Sequence, residues 1–343
     1  MKTAVVLFNL GGPDKKDSIK PYLKNFFMDK AIIPAPRPFR DLISSLIANK
    51  RSKREAGESY AALGDRSPLL DNTYAQAHAL QSVLGSDFRT FVCMRYWHPM
   101  ASEVAAQVKD YAPDRIILLP LYPQFSTTTT GSSYIDWNKA AKKAGLSGVQ
   151  TLACCYPVGE GFIKASAENI RTAIAKMDIK PRLLFSAHGV PLFVLKRGDP
   201  YVWQCSATVK AIVKELNIED LDYAECYQSR VGPVKWTTPS VEDELQRAAS
   251  DKVPVLIYPH AFVSEHFETL VEIEEEYRHM ASELGVPGFG RVPTVSTHPE
   301  FIAGLKDIVL EAIDRNGAIK GAGKNGAGLC PPEYKACACR AYG

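Results

Sequence analysis

Short apolar runs alternate with segments of helical period along most of this chain. Runs of strand length fall at residues 3–10, 89–96, 115–122, 149–156, 182–188, 222–228, 253–259 and 291–296. Between them, apolar positions recurring every three or four residues predict helices over 15–27, 39–55, 71–84, 100–111, 161–177, 206–216, 241–249, 265–284 and 299–315. A strand covered on both faces reads as a near-continuous apolar run. Its alternation with helices therefore predicts an α/β protein, with parallel sheets between layers of helix.

The two halves echo each other. Leu7-Phe8-Asn9-Leu10-Gly11-Gly12-Pro13 parallels Leu184-Phe185-Ser186-Ala187-His188-Gly189-Val190-Pro191, and Leu121-Tyr122-Pro123-Gln124-Phe125-Ser126 parallels Ile257-Tyr258-Pro259-His260-Ala261-Phe262. Cys93 to Pro99 and Cys226 to Pro233 occupy corresponding places. These repeats predict two similar doubly wound domains joined near 157–180, with a cleft between them. The boundaries are drawn at 1–157, 158–298 and a returning C-terminal segment over 299–343.

The composition fits that picture: 343 residues suffice for two domains, and 46 % apolar with 23 % charged residues is ordinary for a soluble globular protein. A net charge of +3 is too mild for a nucleic-acid partner, and none is expected. No apolar stretch approaches the roughly 20 residues of a membrane span. The chain enters its first strand at Thr3 without a signal or transit segment, which points to the cytoplasm. In that reducing compartment its eight cysteines are expected as thiols or metal ligands.

Five segments carry candidate chemistry. The run 183–187 ends in His188 followed by Gly189 and Pro191. Sites in open α/β sheets lie beyond the carboxyl ends of the strands, so this imidazole stands where a base or metal ligand is wanted. After the run 253–258, Ser264 and Glu265 open a helix on which Glu268, Glu272 and Glu276 recur every fourth residue beside His266, an acidic stripe able to conduct protons or a hard cation. The hydroxyl-rich Gln124-Phe125-Ser126-Thr127-Thr128-Thr129-Thr130-Gly131-Ser132-Ser133 suits an anion at a helix N-terminus. The apolar segment 31–48, with Ile33, Phe39, Leu42 and Leu46, runs into Lys50-Arg51-Ser52-Lys53-Arg54; it reads as a core helix or as a lip for a membrane surface or an apolar ligand. Finally, a glycine-rich linker over 316–328 delivers Cys330, Cys337 and Cys339, three soft ligands that Cys154 or Cys155 would complete to a zinc or iron–sulfur site.

Taken in order, these segments resemble the ferrochelatases, enzymes that insert ferrous iron into a porphyrin. The resemblance runs from Val5 to about Val309 and rests on Leu10-Gly11-Gly12-Pro13, Ser67-Pro68-Leu69, Arg95-Tyr96-Trp97-His98-Pro99, Tyr122-Pro123-Gln124-Phe125-Ser126, Ser186-Ala187-His188-Gly189-Val190-Pro191, Arg197-Gly198-Asp199-Pro200-Tyr201, Gln228-Ser229-Arg230-Val231-Gly232-Pro233 and Phe262-Val263-Ser264-Glu265-His266-Phe267-Glu268-Thr269-Leu270. It implies two Rossmann-like domains enclosing a porphyrin cleft. His188 and Glu268 are then catalytic and face each other at the macrocycle, with Glu272 and Glu276 continuing the metal or proton line. Substrate contacts are implied at Ile33, Ser67, Arg95, Tyr96, Tyr122, Tyr156, Trp236 and His266. Segment 31–48 becomes a membrane-resting lip.

The Cys-x6-Cys-x-Cys spacing of the tail is similar to that of bacterial members carrying a 2Fe–2S cluster. Where animal members place the internal cysteine ligand this chain has Thr127, so the fourth ligand is expected at Cys155, or else Cys154; alternation along the strand sets Cys155 opposite a cleft-facing Tyr156. The expected substrates are protoporphyrin IX and ferrous iron. A coproporphyrin enzyme, a cobalt enzyme for a corrin precursor, and a non-catalytic porphyrin-binding redox sensor are the competing readings. A tail clamping the body also suits a homodimer.

Overall fold

The computed structural model describes residues 1–54, 63–229, 234–315, 317–319, 321 and 329–342. These residues form two four-stranded parallel sheets. The first comprises β1 (Thr3–Asn9), β2 (Phe88–Met94), β3 (Arg115–Pro120) and β4 (Val149–Leu152) in the order β2-β1-β3-β4. The second comprises β5 (Arg182–His188), β6 (Tyr223–Gln228), β7 (Val255–Pro259) and β8 (Phe289–Arg291) in the order β6-β5-β7-β8. The second order repeats the first, so the echo between the halves is a repeat of topology. Every residue of β1 is buried, and every residue of β5 except its last, His188. Strands flanked on both edges and covered on both faces need such apolar runs.

The helices are α1 (Ile19–Phe27), α2 (Arg37–Arg54), α3 (Leu69–Leu84), α4 (Ala101–Tyr111), α5 (Thr130–Ala144), α6 (Glu160–Ile174), α7 (Leu192–Leu195), α8 (Tyr201–Leu216), α9 (Val241–Asp251), α10 (Arg278–Glu283), α11 (Pro299–Asp314) and α12 (Ala338–Ala341). Helix α5 has no apolar stripe to betray it, because its buried face is Thr130, Gly131, Ser132, Ser133, Trp137 and Ala141. Helix α8 begins at Tyr201, ahead of the expected 206, where the Asp199 carboxylate accepts the Tyr201 N–H at 3.0 Å and caps the first turn. The last strand stops at Arg291 short of Pro293, which has no N–H to give a ladder. The expected helix 265–284 is instead a π-helix, Glu268–Tyr277, followed by α10.

One apolar core runs through both sheets. Val5, Leu7, Ile117 and Leu119 of the first and Leu183, Phe185, Leu256 and Tyr258 of the second share it with Phe162 of α6, Val209 of α8 and Phe301 of α11. Helix α2 packs Ile47 and Ala48 on Tyr22, Leu23 and Phe27 of α1, yet leaves Phe39, Leu42, Ile43 and Leu46 exposed along its other side. Among the described residues, no helix is long and apolar enough to cross a membrane.

The C-terminal residues 329–342 return to the body. Ala336 N–H donates to Gly198 O at 3.1 Å, and Gly198 has φ +83° with its α-carbon so close to the tail that a Cβ would lie 2.9 Å from Lys335 N. The Tyr342 ring lies 5.3 Å from Tyr134 of α5, and Tyr334 lies 6.0 Å from Trp203 of α8. The tail therefore touches helices belonging to both halves. Most of the expected linker, over 316–328, lies outside the described residues.

Candidate active site

Strand β5 delivers His188 to the carboxyl edge of the second sheet, where the chain turns sharply. Gly189 N–H donates to Gln228 O at 2.8 Å, and a Cβ at 189 would lie only 2.9 Å from that oxygen, so the turn presses on β6 as closely as glycine allows. A short bridge from Pro191 to Trp236 holds the indole beside this turn. Of the Gln228–Pro233 motif, Gln228 and Ser229 are described and residues 230–233 lie outside the described residues.

From the other side comes the segment opening the π-helix. His188 Nδ1 lies 3.1 Å from Glu268 Oε2, with the two side chains 34 % and 23 % exposed. His266 Nε2 lies 3.5 Å from the same oxygen, while its Nδ1 donates to Ser264 O at 3.2 Å. An ionised carboxylate only accepts, so His188 carries its hydrogen on Nδ1, and the neutral ring keeps Nε2 as an unoccupied acceptor. Burial opposes the charge on both partners, but each stabilises the other. The Glu268 carboxylate holds the imidazole above its usual value, and the charges and hydrogen bonds of His188 and His266 hold Glu268 well below the usual carboxylate range.

Glu272 joins this pair from one turn further along. Its Oε2 accepts from Ser229 Oγ at 2.6 Å and from Gln228 Nε2 at 3.1 Å, and its Oε1 accepts from Tyr277 OH at 3.1 Å. Burial, and then the negative charge of Glu268, push Glu272 upward, so it takes up a proton more readily than an ordinary glutamate. The Tyr277–Glu272 contact spans five residues, the spacing of a π-turn. The expected acidic line stops here. A π-helix makes roughly 4.4 residues per turn, so every fourth residue falls back by about 30° and Glu276 swings out to an exposed position. Tyr277, nine residues after Glu268, occupies the inner face in its place.

The expected substrate contacts divide. Ile33 is half-buried and packs, with Trp97 and Phe267, on the core beneath α1 and α2, which brings the lip to the residue next to Glu268. Ser67 is buried against the first loop, with its N–H donating to Pro13 O at 2.8 Å. Tyr122 is partly exposed and lies within the field of Arg95, whose charge lowers a phenol that burial pushes upward. Tyr96 and Tyr156 are fully buried. Tyr96 OH donates to Asp29 Oδ2 at 2.8 Å, and the Tyr156 ring lies 6.2 and 6.4 Å from Phe162 and Phe301. Neither ring is open to a ligand.

Arg95 is also committed to its own chain. Nη2 donates to Asp29 Oδ2 at 3.0 Å, Nε donates to Ser132 Oγ at 2.7 Å, and Nη1 lies 3.6 Å from Asp136. Ser132 in turn donates to Asp29. Asp29, absent from the sequence reading, is the hub of this network; its partners lie 66, 67 and 103 residues away, and no local pattern announces it.

The hydroxyl segment does hold an anion, but an internal one. The Thr127 N–H and Oγ1 each donate to Asp199 Oδ2 at 2.7 Å, and Ser126 Oγ does so at 3.1 Å. The expected cradle is thus filled by a carboxylate from the second half and ties the two halves together.

This architecture matches known proteins along its length. A family model described as Ferrochelatase matches residues 2–313. The chain belongs to the ferrochelatase family. A ferrochelatase of Caulobacter vibrioides is 47 % identical over 99 % of this chain and 98 % of its own, and one of Rickettsia bellii is 46 % identical over 98 % and 95 %. A sirohydrochlorin chelatase, SirB, from Bacillus subtilis subspecies spizizenii, solved in complex with cobalt, shares the fold at a TM-score of 0.54 and 13 % identity, over 92 % of this chain and 96 % of its own.

The ferrochelatase family model ends before the cysteine tail, which has a site of its own. The Cys154, Cys337 and Cys339 sulfurs lie within 4.8 Å of one another. The neighbouring sulfurs of Cys154, Cys330 and Cys339 hold the Cys337 thiol below its usual range. These three sulfurs, with Cys330 next to Cys337, form a largely buried donor set that fits a thiolate-bound cluster. Of the two expected candidates, Cys155 and Cys154, this set of sulfurs includes Cys154. Strand β4 ends at Leu152, so alternation no longer governs residues 154–156, and Tyr156, which was to face the cleft, packs into the core. Cys155 Sγ remains 3.6 Å from Cys154 Sγ.

Proposed function

We propose that this chain inserts ferrous iron into protoporphyrin IX, the step that yields protohaem and closes haem biosynthesis. Insertion of iron into a porphyrin follows from membership of the family. The observation that carries the site is the His188–Glu268 pair, half-open at the end of β5. Protoporphyrin, rather than the more polar coproporphyrin, is supported by the apolar lip that brings Ile33 and Trp97 to Phe267. The test is anaerobic incubation with ferrous iron and each porphyrin, following loss of the free-porphyrin absorbance. Faster turnover of protoporphyrin is expected. Preference for coproporphyrin overturns the substrate, and stoichiometric binding without turnover of either favours a porphyrin-binding sensor.

Metallation removes two pyrrole protons and strips water from the iron. In this reading His188 Nε2 accepts a pyrrole proton, and Glu268 stabilises the imidazolium that results. Glu272, predisposed to protonation, receives protons passed along the pair. Binding that bends the macrocycle exposes nitrogen lone pairs that a planar ring holds in its own plane. Residues 1–157 and 158–298 are taken as the two domains that grip the ring, with 299–343 returning to the first.

The exposed face of α2 is read as a peripheral membrane contact of a cytoplasmic enzyme. Phe39, Leu42, Ile43 and Leu46 follow the i, i+3, i+4, i+7 pattern of one helix face, and Lys50 beyond them suits anionic headgroups. The chain is expected to co-sediment with vesicles containing phosphatidylglycerol. Leu42→Glu with Leu46→Glu, both at sites already 60 % exposed, should leave it in the supernatant with its fold intact. The tail is read as carrying a 2Fe–2S cluster on Cys154, Cys330, Cys337 and Cys339, a one-electron centre when bound. The homodimer suggested by a clamping tail would sediment at twice the 37.8 kDa of one chain.

A further inference from the structure

Gln204 on α8 is fully buried where the first half, the second half and the tail meet. Its side-chain oxygen accepts the Phe125 backbone N–H at 2.7 Å. A backbone N–H only donates, so the atom facing it is the amide oxygen, and this fixes the direction of the whole amide. The amino end is thereby aimed at the cysteines: Nε2 lies 3.1 Å from Cys330 Sγ and 3.4 Å from Cys155 Sγ. Nothing in the catalytic site uses this side chain. A neutral thiol is a weak acceptor for a fully buried amide, whereas a metal-bound thiolate is a strong one.

We infer that Gln204 is a positioning residue for the sulfur cluster, whose N–H bond to the ligand Cys330 sets the reduction potential of that cluster, while its second N–H rests on the neighbouring Cys155. The inference rests on the cluster reading above. One-electron reduction by an external donor, dithionite in the test, adds one negative charge shared over irons and sulfurs. Hydrogen bonds to sulfur stabilise that charge and raise the potential. Gln204 also couples the cluster to the body, because one amide joins the loop after β3, the residues after β4, and the tail.

The test begins with the wild-type chain, purified without oxygen. Iron, sulfide and visible absorbance establish the cluster, and their absence ends both the cluster reading and this inference. With the cluster present, dye-mediated titration gives its midpoint potential in wild type, Gln204→Leu and Gln204→Glu. Both variants should titrate at more negative potential. Gln204→Glu should shift further, since it keeps an acceptor for Phe125 N–H but turns a carboxylate oxygen toward sulfur. Wild-type potential in either fully loaded variant overturns the inference. A folded Gln204→Glu chain that sheds its cluster supports it, because the exchange preserves size and changes only what faces the sulfurs. If neither variant folds, the reduced wild-type cluster labelled with 15N at glutamine amides decides. Coupling of an amide nitrogen to the electron spin is expected, and its absence overturns the inference.

Discussion

His188→Ala is expected to lower the rate of iron insertion by about 10²- to 10⁴-fold, the range that a positioned proton acceptor supplies. Porphyrin binding should survive, because the residue is one wall of the site rather than its anchor. The separation is read by comparing kcat with the dissociation constant from porphyrin fluorescence quenching. The geometry explains why the loss falls on the chemical step. Glu268 engages Nδ1 at 3.1 Å and so leaves Nε2 as the side chain's only free proton acceptor. A half-exposed imidazole at a strand end contributes little packing, so the folded chain should persist. A variant turning over at the wild-type rate would remove His188 from the reaction.

The same pair fixes a pH dependence and its sign. His188 must be neutral to accept a proton, and Glu268 holds it protonated beyond its ordinary 6.5, so kcat/KM should fall as pH drops through a value above 6.5. In Glu268→Gln the counter-charge is gone while burial remains, and the acid limb should move toward lower pH. Stability carries the complementary signature. The raised His188 contributes stability that is complete below 6.5 and lost as pH rises through its folded value. The depressed Glu268 contributes stability that is complete above 4.5 and lost as pH falls through its folded value. The pair therefore stabilises the chain fully only between about 4.5 and 6.5, the window in which thermal melts of wild type and Glu268→Gln should differ most.

What the residues reveal in advance depends on whether their partners are near in sequence. The strands were readable because covered strands need continuous apolar runs, and His188 because it ends one. Helix α5 was not, because it buries hydroxyls and glycine in place of an apolar stripe. The π-turn was not, since the same side chains suit an α-turn; only the contact of Tyr277 with Glu272 exposes it. Asp29, Gln204 and Gln228 draw their roles from partners 44 to 126 residues away. The hydroxyl segment was legible as an anion cradle, but its occupant, Asp199, lies 72 residues on. Local chemistry was thus visible, and the choice of partner was made by the fold.

That rule bears on the fourth cysteine. Cys154→Ala is expected to yield a chain without visible cluster absorbance and without stoichiometric iron and sulfide, whereas Cys155→Ala should retain all three. Cys154 lies with Cys337 and Cys339 inside a 4.8 Å set that does not include Cys155. Cys155 faces Cys154 and the Gln204 amide instead. With Cys154 gone the three tail sulfurs lose their link to the strand end. The tail is then held by the Gln204–Cys330 contact, the Ala336–Gly198 hydrogen bond and the rings of Tyr334 and Tyr342, fewer ties than in the intact chain. Limited proteolysis should accordingly clip residues 329–342 faster in Cys154→Ala than in Cys155→Ala. The reverse pattern, with cluster and tail protection lost only in Cys155→Ala, would mean that strand alternation persists past Leu152 and that Cys155 is the body's ligand.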